Sequence, residues 1–197
     1  LSAQNYATST DSYNVAMGYS AGTAITTGIQ NTLIGGLAGD ALIAAADNVA
    51  VGFEALSTET GGQNNVAIGP RALKAQVNSS GNIYNTAVGA NAGTAVTTGI
   101  SNVLIGGLAG DALTDADQNV AVGTSALGAD TLGGTSVAIG NNALSTQNFT
   151  TATSTYNVAV GYDAGLSVTT GIKNTLIGGR SGDALTDADS NVAIGES

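Results

Sequence analysis

The chain has no cysteine and no histidine. The first absence excludes disulfides and thiolate metal sites. Together they remove the usual general bases and nucleophile pairs of catalysis. Tryptophan is also missing, and the aromatics are six Tyr and two Phe. Charge is scarce: 9% of residues are charged, against about a quarter in an ordinary globular chain. The cations are Arg71, Lys74, Lys173 and Arg180, against 14 acids, for a net charge of −10. That balance argues against nucleic acid and against anionic membrane surfaces as partners. No apolar run approaches the length of a membrane-spanning helix and no signal peptide is present, so no membrane insertion of this segment is expected. The chain begins mid-repeat, as shown next, so the missing signal carries no information about secretion.

What is present is a repeat. Asn14-Val15-Ala16-Met17-Gly18 recurs from Asn31, Asn48, Asn65, Asn85, Asn102, Asn119, Ser136, Asn157, Asn174 and Asn191, at steps of 17, 17, 17, 20, 17, 17, 17, 21, 17 and 17 residues. A short fixed period signifies a solenoid. With the Asn as position one, position two is Val or Thr, position four a large aliphatic and position five always Gly. This is a short strand closed by a corner residue free to adopt positive φ. Ala or Ser follows at position eight, then Gly or Leu, where a second short strand or corner is expected. Seventeen residues with no 3.6-residue apolar period leave no room for a helical hairpin. The expected architecture is all-β: one continuous parallel β-solenoid over residues 1–197, its coils stacked at about 4.8 Å into a rod roughly 50 Å long. Identical Asn side chains in register form amide ladders, and Asn tolerates turns, so that column reads as structural.

The coils come in four kinds, and the set repeats at 71 (14 to 85) and then 72 (85 to 157) residues. The first kind starts at Asn14, Asn85 and Asn157. The second, from Asn31, Asn102 and Asn174, has Leu at position three. The third, from Asn48 and Asn119, has Ala-Leu in place of Ala-Gly. The fourth, from Asn65 and Ser136, is longer and ends in Tyr84 or Tyr156. Its extra residues are expected to bulge outward at Gln76–Tyr84 and Gln147–Tyr156, roughly 19 Å apart along the rod, as candidate receptor or glycan contacts. Gln4-Asn5-Tyr6 through Tyr13 aligns with Gln147-Asn148-Phe149 through Tyr156, so the chain opens inside a fourth-kind coil. It stops at Ser197, within a third-kind coil. With no cap at either end, it is expected to be a segment of a longer repetitive polypeptide.

Candidate chemistry is thin. The densest carboxylates are Asp111, Asp115 and Asp117, repeated as Asp183, Asp187 and Asp189. Gly106-Gly107-Leu108-Ala109-Gly110-Asp111 resembles the Ca²⁺-binding nonapeptide of β-rolls. It has one residue too many before the Asp and returns only every fourth coil. The first block carries Asp40, Ala44 and Ala46 at the equivalent positions, with Asp47 one place later, so a solvated acidic turn is the better reading. Thr26-Thr27, Thr97-Thr98 and Thr169-Thr170 suggest an ice-binding array, but they return once in four coils. No residue is assigned as catalytic, cofactor-binding or metal-ligating, and no cofactor is expected.

Asn65-Val66-Ala67-Ile68-Gly69 and Asn191-Val192-Ala193-Ile194-Gly195 resemble the head repeats of YadA-type trimeric autotransporter adhesins. Asn174-Thr175-Leu176-Ile177-Gly178 and Thr169-Thr170-Gly171-Ile172 are similar to repeats in phage tail-fibre shafts and bacterial surface fibres. The adhesin repeat is about 14 residues rather than 17, so no binding residue carries over. The resemblance implies a left-handed parallel β-roll, three chains side by side, located extracellularly on a cell surface or virion, with a host-surface protein or glycan as partner. The expected function is a structural and adhesive fibre segment without catalysis. The alternatives are a tail-fibre shaft that spaces a distal receptor-binding tip, and a Ca²⁺- or ice-binding solenoid. The residues themselves point to a parallel homotrimer through position three, the unbroken column Ala16, Leu33, Ala50, Ala67, Ala87, Leu104, Ala121, Ala138, Ala159, Leu176 and Ala193. An apolar column along a whole rod reads as a buried interface, with Leu33, Leu104 and Leu176 plugging the axis.

Overall fold

A computed structural model describes residues 3–196. Ser197, named in the expectation about a third-kind coil, lies outside the described residues. Those residues form β-strands and turns with no helix. The strands are β1 (Val15–Met17), β2 (Thr32–Ile34), β3 (Val49–Val51), β4 (Val66–Ile68), β5 (Thr86–Val88), β6 (Val103–Ile105), β7 (Val120–Val122), β8 (Gly133–Gly134), β9 (Val137–Ile139), β10 (Thr153–Ser154), β11 (Val158–Val160), β12 (Thr175–Ile177) and β13 (Val192–Ile194). Eleven of them stack in chain order into one parallel sheet, skipping only β8 and β10, which pair with each other. The chain is therefore a parallel β-solenoid of about 11 turns. The register matches the repeat residue for residue: Val103, Leu104 and Ile105 face Val120, Ala121 and Val122. The 20- and 21-residue steps leave this register intact, because Val66 still faces Thr86 and Val137 still faces Val158.

Each coil is tied to the next by the same bonds. The position-two N–H donates to the position-one carbonyl of the following coil, as in Val103 to Asn119 at 2.8 Å, and Gly123 N–H donates back to Ile105 at 2.7 Å. The corner glycine has two reasons to be glycine. At Gly106 φ is 133°, and a Cβ there would meet the Gly123 carbonyl carbon at 2.6 Å. An L side chain fits neither the dihedral nor the space. After position eight there is a corner and no strand: position nine lies near φ +50 to +60°, whether it is Gly93 or Leu127.

The strand faces are the reverse of the sequence expectation. Position three points into the coil. From Leu33 through Leu176 that column is 0% exposed, and Ala16 and Ala193 pack against it at the ends. Positions two and four point out. The column read as an interchain interface is thus the core of the coil itself. Leu33, Leu104 and Leu176 plug their own solenoid and not an axis between chains. Small residues dominate position three because a 17-residue coil is narrow, and two opposed walls must meet across it.

The interior is filled by compensation between positions three, nine and twelve. Second-kind coils place Leu at three, and their glycine at nine leaves it room. A Cβ on Gly110 would lie 2.7 Å from Leu104 and 2.8 Å from Leu113. Gly93, in the coil before, is likewise held open by Leu104, at 2.6 Å. Third- and fourth-kind coils invert this, with Ala at three and buried Leu56, Leu73, Leu127 and Leu144 at nine. Interiors pack near crystal density, so one large side chain per level leaves no volume for the other.

Candidate interaction surface

The largest unpartnered feature is the outer face of the 11-stranded sheet. Positions two and four carry Val, Thr, Ile and Met along its whole length, in register and without a charge. Ile68, Ile105, Ile139 and Ile177 stand 38% exposed on alternate rungs. Between them Val88, Val122 and Val160 are partly buried, so the stripe is a shallow corrugation of large and small aliphatics. Exposed aromatics flank the strand in sequence. Tyr13, Tyr84 and Tyr156 come just before the first-kind strand, and Tyr19, Phe53 and Tyr162 just after a corner glycine. The face is three residues wide and eleven strands long, roughly 10 Å by 50 Å, or about 500 Å² in plan. Soluble monomers rarely expose so large a continuous apolar patch.

Beneath that face the Asn column forms a hydrogen-bonded ladder. Each rung's Oδ1 accepts the backbone N–H of the next, from Asn31 on Asn14 to Asn191 on Asn174, at 2.9–3.2 Å. In eight coils the same side chain donates Nδ2 to the carbonyl 14 residues on, at 2.7–2.9 Å, closing its own coil. One Asn thus closes a turn and joins it to the next. Ser136 cannot accept at that reach, so Thr155 of the second insert supplies the missing group. Its Oγ1 pairs with Ser136 Oγ at 2.5 Å and accepts Asn157 N–H at 3.4 Å.

Sequence reasoning missed a second polar column, at position twelve. First- and second-kind coils place aliphatics there, such as Val96 and Leu113, whereas the others bury Glu59, Gln76, Asp130 and Gln147, all 0% exposed. These form carboxylate–carboxamide pairs. Gln76 Nε2 donates to Glu59 Oε2 at 2.8 Å, and Gln147 Nε2 donates to Asp130 Oδ2 at 2.5 Å. Glu59 Oε1 also collects the N–H groups of Thr60, Gly61, Gly62 and Asn78. Asp130 Oδ1 collects those of Gly133 and Phe149. Each carboxamide oxygen accepts Nδ2 of the next ladder residue, Asn85 or Asn157. A buried charge needs this many partners to be tolerated. The signal available in the sequence was the recurrence of an acid or a Gln three residues after each Ala-Leu at positions eight and nine.

The inserts are less free than expected. Gln76, Ile83, Gln147, Phe149 and Thr155 are buried, which corrects the outward bulge at those positions. Asp130 and Glu59 hold the start of each insert, and backbone pairing of β10 on β8, or of Gln63 with Asn82, holds its return. What stays exposed is Val77, Ser79–Asn82, Asn148, Thr150–Ala152, Ser154 and the two tyrosines. The opening residues repeat the pattern, since Asn5 N–H bonds Thr26 O as Asn148 N–H bonds Thr169 O, both at 3.0 Å.

The acidic turns have structural bonds as well as solvent. Asp117 and Asp189 accept the N–H groups of Ile100 and Ile172 in the preceding coil, both at 2.8 Å. Asp111 lies partly buried behind them, and that burial raises its carboxyl above the ordinary range, as it does for Asp40. Asp115 and Asp117 border an open, polar cleft of about 220 Å³ under Thr153 and Ser154. Among the described residues, no three acids gather in a way that could hold a metal ion. Thr26, Thr97 and Thr169 donate their hydroxyls to the next coil's backbone, while Thr27, Thr98 and Thr170 beside them are exposed. No protein-family model, curated protein or solved structure matches this chain.

Proposed function

We propose that this solenoid is a structural and adhesive segment of an extracellular fibre, without catalysis, in which parallel copies associate side by side through the outer face of the sheet. The observation that carries this reading is the charge-free stripe at positions two and four, unbroken in large apolar side chains at position four and Val or Thr at position two. Its most economical occupant is the same stripe on another copy, because only an equally long and equally repetitive partner matches every rung. Self-association would also remove a face that otherwise invites indiscriminate aggregation. Three copies about one axis, left-handed coils, and a cell-surface or virion location are the finer parts of the same reading, supported by the repeat's resemblance to trimeric adhesin heads and fibre shafts.

Light scattering at micromolar concentration tests it. The expected mass of the wild type is three times that of the chain. Ile105→Asp with Ile139→Asp should give a folded monomer, because both side chains are outside the core and a charge opposed across the stripe is costly. A folded wild type of single-chain mass would overturn the proposal. Leu104→Asp cannot serve, since Leu104 belongs to the core and its loss would unfold the chain.

A further inference from the structure

We propose that Asn148 is an acceptor for an N-linked sugar. The tripeptide Asn-x-Ser/Thr is the acceptor pattern for such transfer, and it occurs twice, as Asn78-Ser79-Ser80 and Asn148-Phe149-Thr150. Its placement follows from the fold. Every ladder Asn is followed two residues later by position three, which is the core and therefore Ala or Leu. The ladder Asn thus cannot carry the pattern, and both of its occurrences lie in the inserts.

The two sites differ in availability. Asn78 is half-buried, and its Nδ2 is directed at Glu59 Oε2 (3.4 Å) and Thr97 O (3.5 Å). Asn148 and Thr150 are both exposed, on either side of buried Phe149. The backbone between them is pinned by Asn148 N–H on Thr169 O and Phe149 N–H on Asp130 Oδ1, each at 3.0 Å. Asn148 Oδ1 accepts from Thr131 Oγ1 at 3.3 Å, while among the described residues no acceptor engages its Nδ2. The aromatic anchor thus holds the acceptor amide and the hydroxyl two residues on facing solvent together. This insert lies on the return of the coil, off the strand face, so a sugar here is compatible with association through the stripe. The inference does not depend on that association.

The co-substrate is a sugar activated at its anomeric carbon as a diphosphate ester, lipid- or nucleotide-linked. Asn148 Nδ2 forms a bond to the anomeric carbon. The anomeric C–O bond breaks, its electron pair leaves with the diphosphate, and one amide proton passes to solvent or to the transferase's base. Asn5 provides an internal control. It occupies the equivalent place in the opening coil, but Ala7 stands where the hydroxyl residue is required.

Mass spectrometry of the chain isolated from its natural host tests the assignment, with fragmentation of the segment through Arg71, which contains Asn5, and of the segment between Lys74 and Lys173, which contains both tripeptides. The expected result is a sugar increment localised to Asn148 and absent from Asn5 and Asn78. Asn148→Gln and Thr150→Ala should abolish it and Thr150→Ser should retain it, with all three variants melting within a few degrees of the wild type. An unmodified Asn148, or an increment that persists in Asn148→Gln, would overturn the proposal.

Discussion

Coils with Gly at position nine and coils with Leu there share one backbone and fill it by opposite means. The glycine coils send an aliphatic in from position twelve and, on alternate levels, a Leu from position three. The leucine coils fill the centre from position nine, which leaves position twelve for an acid or a Gln. The backbone is the same at both, since Gly110 and Leu127 sit at φ 56° and 54°. The difference is therefore one of side-chain volume and not of chain path. It teaches that the four-coil order is a packing constraint: a Leu at three requires glycine at nine in its own and the preceding level. It also shows why inserts follow only the leucine coils. There the buried carboxylates turn the chain outward by capturing Asn78 and Phe149.

Giving a glycine coil the leucine coil's residue breaks this arrangement most severely. Gly110→Leu should destabilise by about 4 kcal/mol, combining overpacking against Leu104 and Leu113 with the left-handed backbone of a non-glycine residue. Adding Leu104→Ala rebuilds the leucine-coil arrangement and should recover part of the loss, read as a non-additive cycle in urea melts. Simple addition of the two single effects would refute the compensation.

Next in size is Gln76→Ala, which leaves the Glu59 carboxylate without its carboxamide and takes from Asn85 Nδ2 one of its two acceptors, Gly99 O remaining. A cost of about 3 kcal/mol is expected, with hydrogen exchange rising first at the amides of Thr60 to Gly62. A melt unchanged within error would mean that the backbone donors alone hold that carboxylate.

The smallest effect distinguishes acids of the two coil classes by pH. Burial raises Asp111, so the native state disfavours its charge, and stability falls as pH rises from the ordinary aspartate range through the raised value. Asp111→Asn should thus stabilise slightly at neutral pH, and the gain should vanish below the ordinary aspartate range. Glu54 behaves oppositely, lowered by hydrogen bonds from Lys74 and then Arg71. Its contribution is present above the ordinary glutamate value and is lost as pH falls through the depressed one. Thermal midpoints of Asp111→Asn that track the wild type at every pH would remove the burial argument.

The period, the ladder and the corner were legible because each is a one-dimensional property. A glycine every 17 residues fits only a corner that no side chain can enter, and an Asn on the same beat fits only an in-register rung. Direction was not legible. In Val103-Leu104-Ile105 all three side chains are apolar, so alternation, which ordinarily separates core from solvent, held no contrast to read. The position-three column was assigned to an interface because it was unbroken, and a core column is unbroken for the same reason. Glu59 and Asp130 escaped notice because an acid in a turn ordinarily faces water. Only the inserted chain folding back supplies the N–H groups that make its burial tolerable.

The sequence by itself thus determined a parallel stack of 17-residue β-coils in four repeating kinds, since backbone pairing at a fixed spacing follows from periodicity alone. The tertiary structure decided which side of each strand is inside, because that depends on how far apart the two walls of the coil stand. Leu104 fits that gap only where Gly93 and Gly110 leave it open, and no pattern along the chain states the distance between walls.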